Sequence, residues 1–180
     1  MKQKQSGHRY VIGVDPGVTG ALVVLKNGKP VKKLETPKIG SEFDYAYLRK
    51  FFLYYKKKGA VVYFEELIGR GGWGATQTFK MARCYEVIKS HVNCTGIRHY
   101  EIKPKEWQDY VFKGQKIIWK KGKKKKTKDT KAMALVACNR LFPNFKTQKT
   151  ARSTKPHDGI VDAICIAYYG DQDQKGIQHG

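Results

Sequence analysis

Apolar and polar residues follow two periods along this chain. Residues 10–14, 21–25 and 61–64 are short, almost unbroken apolar runs of strand length. Asn27-Gly28 is a hairpin signal that leads the second run into residues 31–35, so three antiparallel strands should open the chain. Residues 41–58 change to helical spacing, with Phe43, Tyr47, Leu48, Phe51 and Phe52 on one face and Ser41 with Asp44 as a capping box. A strand that returns after such a helix is expected to lie parallel to a neighbour. A glycine-rich loop at residues 69–74 precedes a helix over 75–91 and a strand over 96–102. Pro104 then opens a short helix holding Trp107. A further helix, capped by Asp129 or Thr130, ends near Leu141-Phe142-Pro143, and a last helix runs from Asp158 to Tyr169, stopped by Gly170. The pattern predicts an α/β domain over residues 10–170, with a mixed five-stranded sheet flanked by helices. Residues 1–9 are expected to form a flexible basic tail, residues 113–128 a flexible lysine-dense arm around Trp119, and residues 171–180 a disordered polar tail.

Composition narrows the class. The chain has 180 residues, 41% of them hydrophobic, enough for one real core. Lys and Arg number 36 against 15 Asp and Glu, a formal charge of +21, which points to a polyanionic partner. A solvated basic surface, or a ribosomal or histone-like binder, would fit the charge alone. Cys84, Cys94, Cys138 and Cys165 form no CxxC pair and no zinc spacing, and read as reduced thiols. The first eight residues lack the apolar centre of a secretory leader, and no run approaches the ~18 residues of a membrane span. The expectation is a soluble, cytoplasmic protein without membrane contact, with an organelle left open.

Against this basic background four acids stand out. Asp15 and Glu65 each close an apolar strand run. Strands one and four are adjacent in the expected topology, which brings their tips together. Glu66 competes with Glu65, but alternation along a strand allows only one of the two to face Asp15. Asp158 and Asp162 are four apart, hence on one helical face, at the head of the apolar segment Ala163-Ile164-Cys165-Ile166-Ala167. Each acid alone has an ordinary reading as a turn, a strand end or a helix cap. Carboxylates at the mouth of a core helix nonetheless need compensation, and a divalent cation supplies it.

The string Val11-Ile12-Gly13-Val14-Asp15-Pro16-Gly17 resembles the first motif of the RuvC-like Holliday junction resolvases. Val61 to Glu65 is similar to their second motif, and Lys155-Pro156-His157-Asp158-Gly159-Ile160-Val161-Asp162-Ala163 to their last. Residues 76–83, Pro104-Lys105-Glu106-Trp107 and Leu141-Phe142-Pro143 also resemble the phage, bacterial and chloroplast branch. The likeness spans about residues 10–170 and implies the RNase H-like fold. The last acid pair departs from the bacterial pattern: its spacing is four rather than three, as in the mitochondrial branch. His157 and Asp158 are therefore both open as the fourth ligand, with Asp158 sharing a face with Asp162.

That resemblance implies a DNA endonuclease in which Asp15, Glu65, Asp158 and Asp162 hold two Mg²⁺ ions roughly 3.5–4 Å apart, with Mn²⁺ able to substitute. It implies symmetric nicks in a four-way junction with 5′-phosphate and 3′-hydroxyl ends, made by a homodimer whose contact helix, residues 75–91, could present Phe79, Cys84 and Ile88. Lys128, Lys131 and Lys155 are candidates to stabilise the scissile phosphate, and Arg70 and Trp73 to stack at the exchange point. Three other readings compete. Asp15-Pro16-Gly17-Val18-Thr19 also matches the phosphate loop of actin-like and sugar-kinase ATPases, which need a second lobe. A non-catalytic DNA-binding module, or a related nuclease for other branched DNA, would share most of these features.

Overall fold

The computed structural model describes residues 9–69, 74–122 and 126–176. The opening meander is β1 (Tyr10–Asp15), β2 (Ala21–Lys26) and β3 (Lys29–Glu35). Two short strands, β4 (Lys38–Ile39) and β5 (Glu42–Phe43), then form a separate ribbon that turns at Gly40, φ +61°. Next come α1 (Tyr45–Lys57), β6 (Val61–Glu65), α2 (Ala75–Thr95) and β7 (Arg98–Ile102). Three helices complete the chain: α3 (Pro104–Val111), α4 (Thr130–Leu141) and α5 (Asp158–Asp173). The sheet order is β3-β2-β1-β6-β7, with β1 parallel to β6 and β6 parallel to β7. This is the predicted mixed five-stranded sheet.

Alternation along the central strands feeds two cores. Ile12, Val14, Leu22, Val24, Val62 and Phe64 pack under α1 and α2. Val11, Val23, Leu25, Val61 and Tyr63 pack under α3, α4 and α5. Helix α5 sits directly on β1 at Gly13: a Cβ there would fall 2.1 Å from the Ala163 carbonyl oxygen and 2.3 Å from the Ala167 nitrogen. No helix among the described residues is long and apolar enough to cross a membrane.

Several expectations change. Helix α1 starts four residues after Ser41, and Asp44 is its cap, accepting the Tyr47 N–H at 2.9 Å. The ribbon takes up Ser41 and Phe43, so the capping box does not form, and Tyr47 is exposed while Tyr55 is buried. Helix α5 does not stop at Gly170. That glycine stands inside the helix because the Tyr63 ring lies against it, 2.4 Å from where a Cβ would be. The helix continues through Asp171, which is 1% exposed and ion-paired to Arg9 at 2.8 Å and to Lys175 at 2.7 Å. Residues 171–173 are therefore the end of the helix, followed by a turn over 174–176, and Arg9 belongs to the fold. The lysine-dense segment is paired at its base: Trp119 bridges Lys128, Lys120 N–H donates to Thr127 O, and Asp129 N–H donates to Ile118 O. In α2, Cys84 and Ile88 are buried in the core beneath the helix and are unavailable to a partner, whereas Phe79 is exposed.

Candidate active site

Three elements bring the acids to one edge of the sheet. β1 and β6 run parallel and side by side, so Asp15 and Glu65 end at the same level. Helix α5 crosses β1 and contributes Asp158 and Asp162 from its first two turns. All four line one cleft of about 300 Å³, whose walls include Thr19, Gln77, Met81 and Lys131.

Each carboxylate is held differently. Asp15 Oδ1 accepts the Gly17 N–H at 2.9 Å, so the Asp-Pro-Gly turn aims it. Glu65 Oε2 accepts the Trp107 indole N–H at 2.7 Å. Asp158 is ion-paired to Lys131. Glu66 also reaches the cleft wall, but the charge that bears on Asp15 and Asp162 is that of Glu65. His157 is the cap of α5: its Nδ1 accepts the Ile160 N–H at 3.3 Å, and its Nε2 faces Glu35 at 3.8 Å. Of the two open candidates, Asp158 lines the cleft.

The electrostatics are unbalanced. Burial, with the charges of Glu65 and Asp158, pushes the Asp15 carboxyl up to about 7 against the lowering pull of Gly17 N–H and Lys131. Burial, with the charges of Asp15, Glu65 and Asp158, raises Asp162 well above the usual carboxylate range. The Lys131 ammonium bears on Asp15, Asp158 and Asp162. Oxygen-only donors short of positive charge are the donor set of a hard divalent cation such as Mg²⁺ or Mn²⁺. Among the described residues no three acids, histidines or cysteines are already closed into a cage. The fit therefore rests on donor chemistry and charge demand, and Lys131 supplies part of that demand.

The remaining candidates separate. Lys131 lines the acidic cleft. Lys155 lines an adjoining cleft of about 390 Å³ together with Lys131, Asp158 and Asp162. Lys128 is exposed in the bridge to Trp119 and lines neither cleft. Arg70 and Trp73 lie outside the described residues. Sequence reasoning missed the part of Trp107 in holding Glu65. Its place one turn into a helix that follows β7, the neighbour of β6, is the signal that could have suggested it.

No family model matches the chain, and neither does any curated protein. Among solved structures, it is similar to RuvC of Thermus thermophilus in complex with a Holliday junction substrate, with a TM-score of 0.61 and 12% identity over 93% of this chain and 96% of that one. A second Thermus thermophilus RuvC structure gives a TM-score of 0.59 and 14% identity over 93% and 97%. At such identities the likeness establishes the fold: this chain has the RuvC-type, RNase H-like architecture across nearly its whole length.

Proposed function

We propose that the protein is a divalent-metal-dependent endonuclease that resolves four-way DNA junctions. The observation that carries the reading is the convergence of Asp15, Glu65, Asp158 and Asp162, from three separate elements, on one cleft of a chain with a formal charge of +21. A non-catalytic binder of phosphates gains nothing from uncompensated carboxylates on its binding face. The RuvC-type fold and the junction bound to one of its solved examples support the substrate.

Asp15, Glu65, Asp158 and Asp162 would hold two Mg²⁺ or Mn²⁺ ions, whose chemistry there is Lewis acidity toward a phosphoryl oxygen and a lowered pKa for water. Hydrolysis then joins a water oxygen to phosphorus and breaks the bond to the 3′ oxygen, leaving 5′-phosphate and 3′-hydroxyl ends. The chain's own parts are positional and electrostatic. Gly17 and Trp107 fix the oxygens of Asp15 and Glu65 by hydrogen bonds that do not depend on substrate. Lys131 offsets charge on the phosphate as it develops. Lys155, and Arg70 and Trp73 of the glycine-rich loop, would contact DNA beyond the scissile bond. A two-fold junction calls for two sites, and the exposed Phe79 of α2 is the residue through which a second copy would dock.

The test is cleavage of a labelled synthetic four-way junction with Mg²⁺, Mn²⁺ or EDTA, beside linear duplex, flap and fork. Paired symmetric nicks confined to the junction, lost in EDTA and in Asp162→Asn, are expected. Cutting of every branched form would leave a nuclease of broader substrate. Binding without cleavage under any metal would remove the catalytic reading.

A further inference from the structure

A basic groove outside the cleft lies along the outer edge of the sheet. β3 is an edge strand, and the register Asp15↔Ala21↔Glu35 puts its Glu35 end level with the acidic cleft and its Lys29 end on the far side. Between β3 and residues 141–146 runs an open groove of about 660 Å³, whose rim carries Lys29, Lys33 and Lys146 and whose floor includes Phe142 and Phe145. A second groove of about 480 Å³ shares Lys33 and Lys146 and continues past Lys149. Among the described residues no acid lines either groove. Glu35, at the end of β3, is ion-paired to Lys149 at 2.8 Å.

The groove is built rather than incidental. Lys33 Nζ lies over the Phe145 ring, donating to the carbonyls of Lys146 and, at 2.7 Å, Gln148. This ties the loop to the strand, so Lys146 and Lys149 project from a fixed backbone. Burial, and after it the nearby Lys146 charge, lowers the Lys33 pKa. Beyond Lys149 the chain returns through the Gln148–Pro156 bridge to Lys155, beside Asp158 and Asp162. Edge lysines also protect a sheet from pairing with another chain. That accounts for lysines on β3, but not for those on the facing loop.

We propose that this groove holds the sugar–phosphate backbone of a duplex arm leaving the acidic cleft. The inference takes its direction from the nuclease reading of that cleft. Six residue steps from Glu35 to Lys29 span roughly 20 Å, about six base pairs at ~3.4 Å each. Lysines there grip phosphates without reading sequence.

The test uses full-length protein carrying Asp15→Asn, in EDTA, on four-way junctions with 5- or 15-base-pair arms. Longer arms should bind more tightly. Adding Lys29→Glu, Lys146→Glu and Lys149→Glu should remove that gain and reduce the slope of log affinity against log salt by about 2–3. Lys50→Glu with Lys57→Glu, on the opposite face of the sheet, should change neither. An unchanged slope and arm-length gain in the groove variant would overturn the proposal, as would an equal loss in the α1 variant. Hydroxyl-radical footprinting needs no altered groove: protection should extend about six base pairs from the branch along an arm, and protection confined to the branch would overturn it. Binding here needs neither metal nor cleavage, so a failed cleavage assay removes the nuclease reading without deciding the groove.

Discussion

The two ends of helix α5 treat carboxylates in opposite ways. At the C-terminal end Asp171 has two cations, Arg9 and Lys175, and Asp173 receives the Tyr63 hydroxyl. At the N-terminal end Asp158 and Asp162 share Lys131 with Asp15, and burial together with the neighbouring carboxylate charges raises the pKa values of Asp15 and Asp162. The same residue type on the same helix thus serves two purposes, and local charge balance tells them apart. The balanced end ties the first strand to the last helix. The unbalanced end is costly to the free protein, a cost that added positive charge would offset.

The sharpest way to break this contrast is to neutralise each end in turn. Asp15→Asn or Asp162→Asn should lower single-turnover junction cleavage by ~10³-fold or more, about 4 kcal/mol, while the metal-free protein melts at the same or a higher temperature. Asp171→Ala should do the reverse. Urea unfolding should show a loss of about 3 kcal/mol, with cleavage unchanged wherever the protein remains folded. A smaller effect separates the ends by pH. The folded Asp15 carboxyl titrates near 7 and the unfolded one near 3.8, so the unfolded chain gives up its proton first. Stability in EDTA should therefore fall as pH rises from 4 through 7, and Asp15→Asn should flatten that fall. Mg²⁺ should restore what was lost. Smallest is Trp107→Phe, which removes the indole hydrogen bond to Glu65 and should weaken Mg²⁺ binding about tenfold by calorimetry.

The balanced end was the less legible one in the sequence. Asp15 and Glu65 were visible because each closes an apolar run, and two parallel neighbours must finish together. The pair Asp158 and Asp162 was visible from its spacing alone. Asp171 was not, because Gly170 reads locally as a helix stop, and only the Tyr63 ring from another element explains a glycine inside the helix. Its cation Arg9 lies in a stretch that looked like tail. Cys84 and Ile88 were ambiguous for a related reason: helical spacing identifies an apolar face but not whether a sheet or a second copy covers it. The Trp107–Glu65 bond joins residues 42 apart, and no local pattern encodes it.

Gly13 is two residues from Asp15, and the helix atoms that rest on it belong to Ala163, next to Asp162, and Ala167. The spacing between the two acid-bearing segments is thus gauged by a hydrogen atom. A methyl group at residue 13 would act as a shim between the two acid-bearing segments. Neighbours such as Val11 can exchange volume with the surrounding core and spread the error over many contacts. Residue 13 faces helix backbone and has no such tolerance, so one dimension of the acidic cleft is set by a residue that contributes no side chain to it.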